Sequence, residues 1–215
     1  MLNSIIGINQ TAYVEGRFIG EASRLISDIL EVTKECNIPG YMVMMDVEKA
    51  FDSMDHGFLL QVLKVYGFGE HFITWIRIIL TNQESCVMNG GNSTGYFKLE
   101  RGARQGDPIS AYLFILVIEV FFQMIRKNSS IKGLDICGHL FDLVAYADDA
   151  TVLCDSLKSA RAVKETFDKF SKYSGLLLNT SKTEICGIGV KRGVEVALCG
   201  ICLLYTSDAA DEEAS

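Results

Sequence analysis

The chain has 215 residues, of which 49% are hydrophobic and 22% are charged. This composition excludes a disordered or fibrous protein, and the length is sufficient for one domain with a sizeable core. The net charge of −7 is unusual for a protein that binds nucleic acid. Several acidic residues lie in the last eight positions, however, so the charge of the remaining chain neither supports nor excludes a polyanionic partner.

Cysteine usage and hydropathy indicate where the chain works. The seven cysteines are an odd number, and no signal-peptide pattern opens the sequence. Both features favour a reducing, intracellular compartment. The longest apolar stretch, residues 109–125, is interrupted by Ser110, Glu119 and Gln123. A membrane span needs about 20 mostly apolar residues, so this stretch predicts a buried core helix and no membrane association.

The first half of the chain alternates helical and extended patterns. A helix is predicted from Glu21, with one apolar face, and it ends before the breaker cluster Asn37-Ile38-Pro39-Gly40. The apolar run Tyr41–Met45 predicts a strand buried on both faces that ends on an acid, Asp46. Further predictions are helices over 58–66 and 70–81, and strands over 84–88 and 94–99 joined as a hairpin through Asn89-Gly-Gly-Asn92.

The second half is predicted to contain two long helices and a central hairpin. Pro108 suits the first turn of a helix that runs to about Arg126. Leu143–Leu153 predicts a β-hairpin with the pair Asp148-Asp149 at its turn. A helix over 157–173 and short strands over 176–178 and 184–188 follow. Because the order lacks regular β-α-β alternation, the α+β class is favoured over a doubly wound sheet.

Three carboxylates are candidates for chemistry. Asp46 and the pair Asp148-Asp149 are about one hundred residues apart, yet each lies at the boundary of an apolar strand. If the two strands are neighbours in one sheet, the carboxylates converge and offer the hard oxygen ligands that suit Mg²⁺. The alternative is a set of independent surface acids at strand ends, including a solvated Asp-Asp turn. Spacing alone leaves both interpretations open.

Four segments of the chain form recognisable motifs, and in chain order they are Asp46-Val-Glu-Lys-Ala-Phe51-Asp52, Arg101-Gly-Ala-Arg104-Gln105-Gly106-Asp-Pro108, Tyr146-Ala-Asp148-Asp149 and Gly175-Leu-Leu-Leu-Asn179-Thr-Ser-Lys182-Thr-Glu. They resemble four successive motifs of reverse transcriptases, in the form found in non-LTR (LINE-type) retrotransposons. A fifth segment, Asn9-Gln-Thr-Ala-Tyr-Val-Glu-Gly-Arg17-Phe-Ile, is similar to the fingers segment of that family. The resemblance covers residues 3–190.

The resemblance implies a right-hand polymerase architecture without a thumb. Residues 1–190 would form partial fingers and a palm, which is an antiparallel sheet with packed helices. Residues 191–201 would begin the downstream connection. Residues 202–215 look like a translated sequencing adapter, and no strand is expected there. Further fingers residues, a thumb and an endonuclease domain, which relatives carry, are expected to lie outside the chain.

The resemblance also implies an activity. The chain would be the core of an RNA-directed DNA polymerase, with an RNA template, a DNA primer and dNTPs as partners. Asp46 and Asp148 would be the main ligands of two Mg²⁺ ions, for which Mn²⁺ can substitute, and Asp149 would support them. Such a protein would work inside the cell, in the cytoplasm and nucleus, as a retroelement ribonucleoprotein.

Other matching residues would contact the nucleotide or template. Phe51 matches the steric gate that excludes a ribose 2′-OH, although ordinary core packing is the alternative. Lys182 matches a lysine proposed to protonate pyrophosphate, a role open to a general acid, and a surface lysine is the alternative. The remaining residues implied in nucleotide or template binding are Arg104, Gln105, Gly106, Arg17 and Tyr146. The sequence departs from the family pattern at Asp107 and Ala111, where relatives often carry a small residue and proline.

Two other functions are compatible with parts of the sequence. A catalytically silent nucleic-acid-binding remnant would keep the fold, but a surface for polyanions gains nothing from three clustered acids. A viral RNA-copying polymerase would share the Asp pair. Such enzymes commonly have glycine before that pair and a small or polar gate, so Ala147 and Phe51 disfavour this alternative.

Overall fold

The computed structural model describes residues 2–81, 83–189 and 201–205, with side chains described for all of these except 202–205. The α+β class predicted from the sequence is confirmed. The helices of the described residues are α1 Leu2–Ile5, α2 Ile19–Glu35, α3 Ala50–Ser53, α4 His56–Val65, α5 Glu70–Leu80, α6 Pro108–Lys127 and α7 Leu157–Ser174.

The described strands are mostly short and antiparallel. The two longest, Gly40–Met45 and Asp149–Cys154, are the ones that the apolar runs predict. In chain order the strands are β1 Gly40–Met45, β2 Val47–Glu48, β3 Glu84–Ser85, β4 Met88–Asn89, β5 Asn92–Ser93, β6 Phe97–Lys98, β7 Leu134–Ile136, β8 His139–Phe141, β9 Leu143–Tyr146, β10 Asp149–Cys154, β11 Leu177–Leu178, β12 Glu184–Ile188 and β13 Cys202–Tyr205.

A five-stranded sheet in the order β13-β12-β1-β10-β9 organises the fold. Its middle strand, β1, pairs antiparallel with both β10 and β12. Side chains alternate across a strand, so Val43 and Met45 pack into the larger core while Met42 joins a second cluster with Ile29 of α2. The prediction that this strand is buried on both faces is therefore confirmed.

Helix α6 forms the centre of the larger core. It is long and apolar enough to cross a membrane by length and composition alone, but eleven of its twenty residues are buried within the protein. Phe121 of this helix packs edge-on against Phe167 of α7, with ring centroids 5.0 Å apart, and Phe170 adds a third ring. The predicted core helix is thus confirmed.

Two parts of the architecture differ from the sequence expectations. Cys202–Tyr205 lies beside β12 as a parallel edge strand, although no strand was expected after position 201. A short hairpin, β7–β8, precedes the central hairpin and was not predicted. The connection over residues 191–200 and the segment after 205 lie outside the described residues. The predicted 84–99 hairpin forms as two short ladders, β3 with β6 and β4 with β5.

A buried ion pair ties α6 to the central hairpin. Glu119 is only 1% exposed, and its Oε1 accepts a hydrogen bond of 2.9 Å from Arg126. Arg126 also donates to Asn9 Oδ1 at 3.3 Å, and the Asn9 amide donates to the Leu143 carbonyl at 2.6 Å. Burial raises the pKa of Tyr66, and the nearby Glu119 carboxylate raises it further. Arg126 is thus the ion-pair partner of the buried Glu119 carboxylate.

Replacing Arg126 with methionine is expected to destabilise the fold by about 3 kcal/mol, since it leaves the Glu119 carboxylate buried without a counter-charge. Urea denaturation followed by circular dichroism measures this loss. The matched control is Glu119→Leu combined with Arg126→Met, which removes both charges and is expected to lose much less stability. A double variant as unstable as Arg126→Met alone would contradict the role assigned to the charge pair.

Candidate active site

The register between β1 and β10 brings the three candidate carboxylates to one end of the sheet. Met45 lies opposite Ala150 in this antiparallel pair. Asp46 directly follows Met45, and Asp149 directly precedes Ala150, so the two chains leave the ladder side by side. Asp148 occupies the adjoining turn of the β9–β10 hairpin. The strands that carry the acids are therefore neighbours, as the sequence interpretation required.

The electrostatics of this end of the sheet are unfavourable for the folded protein alone. Asp148 is half-buried, and this burial raises the pKa of its carboxyl, with the negative charges of Asp149 and Asp46 raising it further. A hydrogen bond from the backbone at Asp148 opposes the increase. Like charges held together in this way favour a compensating cation.

The donor atoms fit a divalent ion that receives only part of its ligands from protein. Within the described ranges, no group of three or more His, Cys, Asp or Glu side chains is arranged to hold a metal ion. Mg²⁺ commonly takes one or two carboxylates and completes its shell with water and substrate phosphates. Asp46 and Asp148 supply hard oxygen donors of this kind, and their mutual repulsion would be relieved by the bound ion.

Asp46 is held on its other side by the turn that carries Lys182. The Asn179 N–H donates to the Asp46 carbonyl at 2.8 Å, and the Asp46 N–H donates to Thr183 Oγ1 at 3.2 Å. Lys182 lies between these two anchors with an exposed side chain. The structure thus brings the backbone of Lys182 close to Asp46, and the proton-donor role of its side chain stays a prediction.

Backbone hydrogen bonds attach the loop of residues 101–106 to the segment after Asp46. The Gly102 N–H donates to the Met54 carbonyl and the Ala103 N–H donates to the Phe51 carbonyl, both at 2.7 Å. Gly102 has a φ of +82°, and a Cβ there would lie 2.7 Å from the carbonyl oxygen of Asp52. Only glycine fits this approach, so the glycine of the Arg-Gly-Ala-Arg motif has a direct structural cause.

A cavity of about 660 Å³ collects four of the predicted nucleotide-site residues: Phe51, Arg104, Gln105 and Gly106. Phe51 packs against Phe114, with ring centroids 4.8 Å apart, so its ring has a fixed position at the cavity wall. A neighbouring cavity of about 560 Å³ shares Arg104 and Gln105. The remaining lining residues of the first cavity are Tyr13, Asp107, Pro108, Ser110, Ala111 and Tyr112.

Asp107, one of the two departures from the family pattern, has a structural role. It is the N-cap of α6, and its side chain accepts a hydrogen bond of 3.1 Å from the Ile109 N–H. A carboxylate at a helix N-terminus is stabilised by the unpaired N–H groups and the helix dipole. The helix therefore offsets part of the negative charge that Asp107 adds to the cavity wall.

Arg17 and Tyr146 lie in different surroundings from the cavity. The Arg17 guanidinium donates to the backbone carbonyls of Ile6, Gly7 and Gln10. These contacts hold the segment over residues 6–17 together and use three of the five N–H donors of the guanidinium. Tyr146 is 36% exposed and pairs with Asp149 across the hairpin, so it lies beside the acids.

Sequence reasoning missed two residues that hold the acids in place. Thr183 accepts the hydrogen bond from the Asp46 backbone, and Gln10 is completely buried with its amide against the turn at Ala147. Gln10 belongs to the segment that resembles the fingers motif, but no role was assigned to it. A polar residue in a local pattern gives no signal of a partner more than a hundred positions away.

Comparison with known proteins identifies the family. Residues 3–196 match the family model described as reverse transcriptase (RNA-dependent DNA polymerase). The chain belongs to this family. Reverse transcriptases act on nucleic acid and use divalent metal ions in general. The match begins and ends within a few residues of the range over which the motifs were recognised.

The relatives of this reverse transcriptase chain are retrotransposon proteins. It is 30% identical over 183 residues to the transposon TX1 uncharacterized 149 kDa protein of Xenopus laevis, covering 85% of the chain and 14% of the relative. It is 26% identical over 184 residues to the Pol polyprotein of the type-1 retrotransposable element R2 of Popillia japonica, covering 85% and 26%. The predicted resemblance to non-LTR elements is confirmed, and the chain spans a minor part of these relatives.

Solved structures agree on the fold. The apo telomerase of Candida tropicalis truncated from its C-terminal domain superposes with a TM-score of 0.60 at 14% identity, covering 87% of this chain and 38% of that one. Telomerase of Candida albicans in complex with a fragment of telomeric RNA gives a TM-score of 0.56 at 12% identity, covering 87% and 32%. The palm-and-fingers architecture predicted for this reverse transcriptase is confirmed.

Asp148→Asn is expected to stabilise the metal-free chain at neutral pH, because it removes a half-buried, repelled charge. The pKa of Asp148 is raised in the folded state, so its destabilising effect is complete at neutral pH and diminishes as the pH falls through that raised value. The effect disappears below the ordinary aspartate pKa of about 3.9. Urea denaturation midpoints of the wild type and the variant, measured in EDTA at neutral pH and below the ordinary aspartate pKa, test this expectation.

The exposed neighbour provides the control for this measurement. Asp149→Asn is expected to stabilise less, since its side chain is solvated. If Asp148→Asn lowers the urea midpoint at neutral pH, the assigned repulsion is wrong.

Proposed function

We propose that the chain forms the catalytic core of an RNA-directed DNA polymerase, which transfers a deoxynucleotide to a primer 3′-OH on an RNA template. The observation that carries this proposal is the β1–β10 register, which brings Asp46 beside Asp148-Asp149. Such a cluster of repelled carboxylates has little use in a purely structural sheet end. Membership of the reverse transcriptase family supports the same reaction.

Asp46 and Asp148 are proposed as the main metal ligands, with Asp149 in support. Two Mg²⁺ ions bound there, replaceable by Mn²⁺, would stabilise the attacking and leaving oxygens of an in-line displacement. The protein holds the carboxylates ready at a strand end and a hairpin turn. Since the Asp46 backbone is hydrogen-bonded to Asn179 and Thr183, the first ligand is fixed from the side opposite the hairpin.

The cavity beside the loop of residues 101–106 is proposed to receive the incoming dNTP and the template. Phe51 would exclude a ribose 2′-OH by contact with its ring, which Phe114 holds in position. Gly106, with a φ of +87°, gives the backbone of this loop a close approach that a side chain would block. Arg104 and Gln105 line both cavities, and either could contact phosphate or template.

Roles are also proposed for three residues that do not line this cavity. Lys182 would deliver a proton to the leaving pyrophosphate from the turn anchored to Asp46. Tyr146 would contact the nucleotide or template beside the acids. For Arg17, the three backbone carbonyls that it contacts favour a structural role in the fingers segment over the triphosphate contact that the resemblance implies.

The proposed partners are those of a retroelement. An RNA template, a DNA primer and dNTPs would meet in a ribonucleoprotein of the cytoplasm and nucleus. The relatives are retrotransposon proteins much longer than this chain, which supports a working form in which further segments grip the duplex. A catalytically silent binding remnant is the second candidate, and the clustered negative charge of Asp46, Asp148 and Asp149 counts against it, because such a cluster repels a polyanion.

Asp46→Asn and Asp148→Asn are each expected to reduce primer extension at least about a hundredfold, because each removes a proposed metal ligand. The measurement is extension of a DNA primer on an RNA template with Mg²⁺ and dNTPs. It uses the chain and a chimera that carries the flanking polymerase segments of a related retrotransposon. Asp28→Asn is the matched control, since this acid lies on the surface of α2 in an exposed pair with Arg24. Extension by both site variants at wild-type rates would refute the metal assignment.

Phe51→Ala is expected to reduce discrimination between dNTPs and rNTPs at least about tenfold, because the ring no longer meets the 2′-OH. The ratio of kcat/KM for the two nucleotide classes measures this. Phe51→Tyr keeps the ring and is expected to keep the discrimination. An unchanged ratio in a folded Phe51→Ala variant would assign Phe51 to core packing alone.

A further inference from the structure

The turn that carries Asp148 contains an unusual backbone conformation. Ala147 and Asp148 are the two residues between the paired Tyr146 and Asp149. Ala147 has a φ of +55°, whereas Asp148 is not among the described residues with positive φ. A positive φ at the first central position alone is the pattern of a type II′ turn, where glycine is favoured. This hairpin therefore holds an alanine in a conformation that alanine normally avoids.

A single buried side chain satisfies both backbone polar groups of this alanine. Gln10 has an exposed fraction of 0%, and Ala147 is 4% exposed. The Gln10 Oε1 accepts from the Ala147 N–H at 2.9 Å, and its Nε2 donates to the Ala147 carbonyl at 3.1 Å. Oε1 also accepts from the Ala12 N–H at 2.9 Å. Because two N–H groups point at the same oxygen, the orientation of the amide is determined.

The backbone beside Gln10 is fixed to the same hairpin. The Thr11 N–H donates to the Ala145 carbonyl, and the Ala145 N–H donates to the Asn9 carbonyl, both at 2.9 Å. Gln10 is thus carried by a short parallel bridge on the outer edge of β9. This backbone bridge keeps Gln10 beside Ala147, and the complete burial of the side chain restricts its rotation.

We propose that Gln10 is a positioning residue for the polymerase reaction, holding the Ala147 turn so that the Asp148 carboxylate faces Asp46. This inference rests on the proposed function. Rotation about the Ala147 backbone would move Asp148, the next residue, directly. A strained backbone conformation is maintained where surrounding contacts fix it in place. Here the two hydrogen bonds between the Gln10 amide and the Ala147 backbone provide that constraint. Gln10 itself touches neither substrate nor metal in this role.

Gln10→Met, which is close in shape but lacks all three hydrogen bonds of the amide, is expected to lower kcat for dNTP incorporation at least about tenfold through misplacement of Asp148. The KM for dNTP is expected to stay within about threefold, since the cavity is untouched. Ala147→Gly in the Gln10→Met background is expected to recover part of kcat, because glycine adopts the positive φ without a penalty. If Gln10→Met lowered kcat only through lost packing, the Ala147→Gly substitution would not restore it.

The control is Thr11→Val, which removes a 3.1 Å hydroxyl hydrogen bond to the Ala145 carbonyl in the same segment but leaves the turn intact. It is expected to keep kcat within about twofold of wild type. The inference is overturned if folded Gln10→Met retains the same kcat as Thr11→Val, or if Thr11→Val is equally impaired.

Hydrogen exchange of the wild-type chain without metal or nucleotide gives a readout that is independent of activity and of any variant's folding. The Ala147 N–H is expected to be protected as strongly as the Ala145 N–H, which is hydrogen-bonded to the Asn9 carbonyl. Exchange as fast as that of the exposed turn at Gly91 would show that Gln10 does not hold the Ala147 turn. If the Ala147 amide is protected but the chimera with the flanking polymerase segments extends no primer, the proposed function fails while the hold of Gln10 on the Ala147 turn stands. If wild type extends primer and Gln10→Met extends equally, the positioning role fails alone.

Discussion

Antiparallel pairing of β1 with β10 is the constraint on which the candidate site depends. The two strands meet at Met45 and Ala150, and the acids lie one and two residues beyond this pair. A slip of one residue would turn every side chain of a strand to the opposite face. Because β1 is buried on both faces by helices of the two clusters, such a slip would mismatch both cores at once. The core thereby determines where the carboxylates are.

Around this pairing, the site is held mainly by polar contacts to backbone. The turn before β12 holds Asp46, the 101–106 loop is attached to the Phe51 carbonyl, and the Gln10 amide closes on Ala147. These hydrogen bonds hold the backbone of the exposed or half-exposed site residues in a fixed position. The pKa of Asp148 is raised by burial and by its acidic neighbours, so the folded protein maintains a negative potential that a cation would relieve. Site preorganisation thus carries a cost in stability that substrate and metal binding can offset.

Prediction from sequence succeeded where a long periodic pattern matched the burial. Helices α2, α6 and α7 and strands β1 and β10 have apolar spacings that only one type of element can bury. It failed for the three-residue strands β7 and β8 and for the parallel strand β13, whose lengths are too short for periodicity to register. For Arg17, a motif match could not reveal that the guanidinium donates to three backbone carbonyls, and its contact with a triphosphate stays a prediction.

Residue types and their spacing were enough to predict the family, the order of the motifs and the three candidate acids. Which groups hold these acids in place depends on the completed fold. Gln10 and Ala147 are 137 positions apart, as are Asp46 and Thr183. Hydrogen bonds over such separations leave no periodic trace, because each requires one polar atom at one point of the completed fold. The proximity of Asp46 to Asp148 and Asp149 follows from the register of β1 with β10, which the local sequence pattern is compatible with but does not determine.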